Sequence, residues 1–260
     1  MQHHFMVCIS GLAGTGKDEC SGRLVNRHGA IHTGLADPGK RHLKDTYKFS
    51  SEQLWGPSKF RNAGDVRYPK DTFNQAESEK YVEGDPVFWL SPREALQKYM
   101  ELMNTLYSNT WIRKGIEDHR SIATNRYTYS KTAGLLPRTR PILNADKEMS
   151  NSLVITCFSD FRHIHEHKLA RESTGNSLTP VLIRIKRPTI TKPPFSHRSE
   201  TEQTRIRDEA YDFIINNDSS LEHLYQMIDD MVETFLGKDW KGKTWDPSFV
   251  LPDEGEGYPS

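Results

Sequence analysis

Residues 5–10 (FMVCIS) run straight into Gly11-Leu12-Ala13-Gly14-Thr15-Gly16-Lys17, and this junction constrains the fold more than any other part of the chain. An unbroken apolar run closed by a glycine turn reads as a buried strand. A helix is expected over about residues 16–27, with Gly29 as its stop. A strand entering a helix through a short loop opens a βα unit, and strands joined by helical crossovers form parallel sheets covered on both faces.

The loop matches the GxxxxGK part of a Walker A sequence, in the strand-before, helix-after context that the motif needs. Glycines let backbone N–H groups turn inward on phosphate oxygens, and the helix N-terminus adds its dipole. Lys17 is a mobile point charge that reaches the outer phosphates. The motif expects Ser or Thr next, as a magnesium ligand, but position 18 is Asp18. Asp18 could ligate the metal directly or through water, or Thr15 could assist.

The rest of the chain repeats the strand–helix alternation. Residues 30–34, 152–158, 181–185 and 211–215 read as further strands. Pro38 opens a helix; Ser91, Pro92 and Glu94 mark another, with a capping box and an apolar face at Ala95, Leu96, Tyr99, Met100, Met103 and Leu106. Helices are also expected over 111–119 and 163–172. Ser219 and Glu222 suggest a second capping box before a C-terminal amphipathic helix that Gly237 stops. Residues 50–88 read as loop with short helical pieces, 120–150 as an exposed insertion, 187–208 as a basic irregular stretch, and 238–260 as a loosely packed polar tail. The fold class is α/β, a parallel sheet flanked by helices.

Composition narrows the function. Lys and Arg number 35, Asp and Glu 35, so the chain lacks the basic footprint of a dedicated duplex binder. Three cysteines, Cys8, Cys20 and Cys157, form no CxxC pair, which fits a reducing cytoplasm. No apolar run approaches a membrane span, and no signal peptide is expected. His163-Ile164-His165-Glu166-His167 does not have HExxH spacing; on a helix, 163 and 167 share a face while 165 points elsewhere, so zinc is not expected there.

The segment GLAGTGKDEC, with Asp after the lysine, resembles the loop of bacteriophage deoxynucleoside monophosphate kinases. The resemblance continues in order. It takes in residues 35–40 (LADPGK), 91–97 (SPREALQ), Thr110-Trp111-Ile112, and Ser159-Asp160-Phe161-Arg162 with Glu166. It ends with 185–188 (IKRP) and 216–221 (NNDSSL). The family's Gly-Thr pair after the glutamine is Met100-Glu101 here, and residues 120–150 and the tail have no counterpart.

The resemblance implies a P-loop three-layer sandwich, with one kinase domain over 1–237 and an acceptor region near 35–150. It implies transfer of the γ-phosphoryl of ATP to a (deoxy)nucleoside monophosphate with Mg2+, in the cytoplasm of a phage-infected cell, by a homodimer. Gly11, Ala13, Gly14, Thr15, Gly16, Lys17, Asp18 and Glu19 would hold the donor phosphates. Lys40, Arg61 and Arg93 would bind the acceptor phosphate or sugar, with Arg67 competing for the role of Arg61. Gln97, Trp111 and Glu166 would shape the nucleoside pocket, Asp160 would join Asp18 at the metal, and Arg162 would face the acceptor. Lys17, Arg93, Asp160 and Arg162 would be catalytic, and Arg187, Arg198 and Arg205 would belong to a lid over 187–208. Two other readings stand beside this one. One is a related kinase acting on a modified base in DNA or a coenzyme precursor; the other is a non-catalytic nucleotide binder.

Overall fold

A computed structural model describes residues 3–70, 82–124, 153–175, 178–191, 202–237 and 240–251, apart from the side chains of 121–124. The chain divides into two compact units, Met1–Leu35 with Ile112–Ser260, and Ala36–Trp111. The strands are β1 (His3–Ser10), β2 (Ile31–Thr33), β3 (Leu153–Phe158), β4 (Leu178–Lys186) and β5 (Phe213–Asn216). The helices are α1 (Lys17–His28), α2 (Asp37–Tyr47), α3 (Ser51–Trp55), α4 (Ser58–Asn62), α5 (Pro92–Leu106), α6 (Thr110–Thr124), α7 (Ile164–Glu172) and α8 (Leu221–Leu236). Most of the insertion at 120–150, part of the stretch at 187–208 and the end of the tail lie outside the described residues.

The first unit holds a sheet in the order β2-β3-β1-β4-β5, every pair parallel. β1 is central and buried from His4 to Ser10, which is why it reads as an unbroken run instead of an alternation. Its pleat sends alternate residues into two cores. Phe5, Val7 and Ile9 join Leu24 of α1 with Leu224, Ile228, Val232 and Phe235 of α8. Met6 and Cys8 join Ile112 and Ile116 of α6 and Ala170 of α7 on the other face. The result is the expected three-layer α/β sandwich. The second unit packs α2 to α5 around Leu43, Phe49, Leu54 and Ala95. No helix among the described residues is long and apolar enough to cross a membrane.

Three local expectations change. The cap of α8 is Ser220, whose Oγ accepts from His223 N at 3.2 Å, so the serine one place earlier is not used. Ser91 Oγ does accept from Glu94 N at 3.2 Å, but the Glu94 carboxylate pairs with Lys70 and Lys98 at 2.6 and 3.0 Å in place of closing the box. The tail at 240–251 packs: Trp240 lies 6.2 Å from Phe213, stacked, and Arg207 N bonds Phe249 O at 2.7 Å. Tryptophan area offsets the polarity of its neighbours.

One face of the sheet carries buried polar groups. His4 on β1 bonds Thr156 on β3 at 2.8 Å, and His119 on α6 bonds Thr33 on β2 at 2.5 Å. His119 also stacks on Phe158 at 3.8 Å. Burial holds both imidazoles neutral, with Arg120 reinforcing this for His4; the His4 pKa falls to about 4 and that of His119 well below its usual value. Folded pKa values below the unfolded one mean that the unfolded chain binds more protons in the window between them. Stability is therefore intact above about pH 6.5 and drains as pH falls toward 4, by up to about 1.4 kcal/mol per pH unit for each histidine. Urea midpoints measured from pH 7.5 to 4.5 are expected to fall, and His4→Gln to flatten the fall; a flat wild-type profile would contradict this.

Arg171 on α7 and Asp212 before β5 form an ion pair at 2.9 Å with side chains 1% and 3% exposed. Asp212 also accepts from Leu182 N at 2.7 Å and Lys243 N at 3.0 Å, while Arg171 donates to Ala210 O at 2.9 Å. Removing one partner strands the other charge in the interior. Asp212→Ala is expected to lose about 3–5 kcal/mol in chemical denaturation, far more than an exposed pair would cost.

Candidate phosphate-binding sites

In this sheet the connection leaving β1 runs to β2 on one side, and that leaving β3 runs to β4 on the other. β1 and β3 are neighbours, with Cys8 opposite Phe158, so their C-terminal ends form the switch point where open α/β sheets bind ligands. Residues 11–17 follow β1, and Asp160 follows β3.

The loop is held in shape by backbone demands. Gly11 has φ +146°, and a Cβ there would lie 2.5 Å from the Ile185 carbonyl oxygen on β4. Gly16 has φ +109°, and its Cβ would lie 2.7 Å from Asn217 Nδ2, which donates to Thr15 O at 2.9 Å. Gln203 Oε1 accepts from Gly11 N at 3.2 Å. Thr15 Oγ donates to Leu12 O at 2.8 Å, so this hydroxyl serves the loop. Lys17 Nζ lies across the loop, donating to Gly11 O at 2.5 Å and Leu12 O at 2.8 Å. Gly14 and Asp18 are exposed, Ala13 is half-buried, and Glu19 accepts from Tyr225 at 3.1 Å. Asp18 and Glu19 also sit in the first turn of α1, where negative charge suits the helix dipole.

Beyond β3, Asp160 Oδ1 accepts from Leu35 N at 3.0 Å, fixing the chain after β2. Arg162 contributes its backbone: its N–H and that of His163 donate to Glu166 at 2.6 and 2.7 Å. The Glu166 carboxyl is buried, which raises its pKa to about 7, and it closes the start of α7. Arg187 is exposed, Arg205 donates to Leu251 O at 3.2 Å, and Arg198 lies outside the described residues.

In the second unit Lys40, Arg61 and Arg93, from α2, α4 and α5, line one pocket with Gln53, Leu54, Pro92 and Leu96. Sequence spacing gave no sign of Gln53, which caps α3 through Ser50 and also donates to Asp65 at 2.9 Å. Lys40 pairs with Asp37 at 3.2 Å, and Asp37 also accepts from Trp55 Nε1 at 2.9 Å. Arg67, the rival of Arg61, is clamped on Asp65 at 2.6 and 2.8 Å, and hydrogen bonds from it hold the Asp65 pKa at about 2. Gln97 is exposed on α5 and does not line the pocket. Trp111 is 7% exposed, donates to Met100 O at 3.1 Å and packs edge-on to Tyr99. Its ring is occupied by packing within this unit.

A mimivirus protein (Acanthamoeba polyphaga mimivirus) named "Putative deoxynucleotide monophosphate kinase" is 25% identical over 224 residues, 86% of this chain and 93% of its own. This chain is similar to a nucleotide kinase. Among solved structures, dephospho-CoA kinase from Campylobacter jejuni matches over 90% of this chain and 98% of its own, at 11% identity and a TM-score of 0.36. No protein-family model matches the chain.

The loop geometry makes a direct demand on its first glycine. Gly11→Ala is expected to cost about 1–3 kcal/mol, from strain at a left-handed position and contact with the Ile185 carbonyl. A thermal melt equal to wild type would show that the loop does not need this backbone.

Proposed function

We propose that the protein transfers the γ-phosphoryl of ATP to the α-phosphate of a (deoxy)nucleoside monophosphate. One observation carries the reading: the chain has two places whose side chains and backbone suit phosphate. A Walker-type loop follows β1, and Lys40, Arg61 and Arg93 gather on a second pocket in the unit Ala36–Trp111. An ATPase needs only the first. A kinase whose acceptor is itself a phosphate needs both. The name of the mimivirus relative supports the same substrate class.

The acceptor phosphate is ionised near neutral pH, so no general base is required; the task is to bring two anions together and offset their repulsion. Loop amides and the α1 N-terminus would take the donor phosphates, and Lys17 would exchange its carbonyl partners for phosphate oxygens. Arg61 and Arg93 offer planar forks and Lys40 a point charge to the acceptor. The carboxylates of Asp18 and Asp160 are the hard oxygen donors that suit Mg2+. Held there, the ion would help neutralise the donor's phosphate oxygens. Asp160 meanwhile ties the chain after β3 to the chain after β2 through Leu35 N. Trp111 donates to Met100 O on α5 and Glu166 caps the start of α7, so the proposal gives these two positioning roles.

ADP formation with ATP, magnesium and a panel of ribo- and deoxynucleoside monophosphates tests the reading. Turnover with at least one monophosphate is expected, reduced about 100-fold or more in Lys17→Ala, the scale of losing one preorganised donor to developing charge. Arg93→Ala is expected to raise KM for the monophosphate with little change in KM for ATP. A protein that binds ATP yet turns over no free monophosphate overturns the proposal.

A further inference from the structure

His163, His165 and Glu202 bring one donor atom each to within 4.8 Å of one another. The arrangement arises from the backbone at His163. This residue precedes α7 with φ −98° and ψ 148°, an extended conformation, so its ring is not carried on the helical spiral. The rings of His163 and His165 stack with centroids 5.3 Å apart and 19° between planes. His167, the helical partner expected for His163, instead turns inward and bonds the Tyr211 hydroxyl at 2.9 Å. Glu202 arrives from the segment before the 3-10 turn Gln203–Arg205. Its Oε2 lies 2.7 Å from His163 Nδ1, and its Oε1 accepts from Ile164 N at 3.4 Å. The carboxylate is thus held beside the first imidazole by two contacts, and the second imidazole stacks on the first.

We propose that His163, His165 and Glu202 form a site for a divalent transition metal of the Zn2+ class. Two imidazoles and one carboxylate are a donor set that Zn2+ accepts, with water in the fourth position. Nitrogen donors separate this site from Asp18 and Asp160, whose oxygens suit Mg2+. Tetrahedral coordination at about 2.0–2.1 Å sets donors about 3.4 Å apart, so these half-buried side chains would draw inward from within 4.8 Å to close the site. The bound ion cross-links the start of α7 to residue 202. The next residue, Gln203, is 3% exposed and holds the amide of Gly11 in the phosphate loop. The site therefore pins the segment that props the loop, and it exists whether or not the kinase reading holds.

Calorimetric titration of chelator-treated full-length protein with Zn2+ tests this. One equivalent per chain is expected, weakened tenfold or more in both His165→Ala and Glu202→Gln. His42→Ala, which alters an exposed histidine stacked on Tyr99, is expected to bind as wild type. Circular dichroism checks that the variants fold, with His165→Asn as the milder replacement should His165→Ala fail. Absence of a stoichiometric site, or full-strength binding in a folded His165 or Glu202 variant, overturns the proposal.

Discussion

The close approach of Gly11 to β4 is the constraint on which the rest of the glycine loop depends. With the Ile185 carbonyl where a Cβ would be, and φ at +146°, the chain leaves β1 in a direction no other residue tolerates without strain. Everything downstream inherits that direction. Gln203 fixes the Gly11 amide, Asn217 fixes the Thr15 carbonyl, and α1 starts at Lys17 directly after Gly16. The neighbouring strands are what hold the turn: β4 supplies the Ile185 carbonyl, and the residue after β5 supplies Asn217. Under the proposed function, a loop braced in this way would keep its donors oriented before the phosphates arrive, which is how preorganised electrostatics works.

The second unit shows a different logic. Its cations come from three short-range helical pieces, and carboxylates stand beside them: Asp37 beside Lys40, Asp65 beside Arg67. Asp65 takes Arg67 as a bidentate partner, so that arginine stays on its neighbour while Arg61 lines the pocket. Under the proposed function this sorting of arginines is what makes a phosphate pocket out of a basic surface.

Much of this was legible from the residues. The β1 run, the glycine loop, Gly29 at the end of α1 and Ser91 at the start of α5 are local signals with local causes, and the sheet class followed from their alternation. The convergence of Lys40, Arg61 and Arg93 was an expectation of family resemblance, with Arg67 an open rival that no spacing could dismiss. Gln203 carried no sequence signal at all, because its role is to meet an amide 192 residues away. Helical spacing pairs His163 with His167, whereas His163 is still extended and its ring stacks on His165. Ser220 was missed for a related reason: two adjacent serines offer the same cap, and only the backbone angle at the junction chooses between them.

The sequence by itself determined the elements whose causes lie within a few residues: apolar runs, helix caps, glycines at left-handed turns, and a lysine after a glycine-rich loop. Tertiary structure decided which distant side chains complete those elements. Asp160 on Leu35, Asn217 on Thr15 and Glu202 beside His163 each depend on where another segment passes. The physical reason is range. Backbone propensity acts over one or two turns, whereas a buried polar group is satisfied by whatever the fold brings within hydrogen-bond distance.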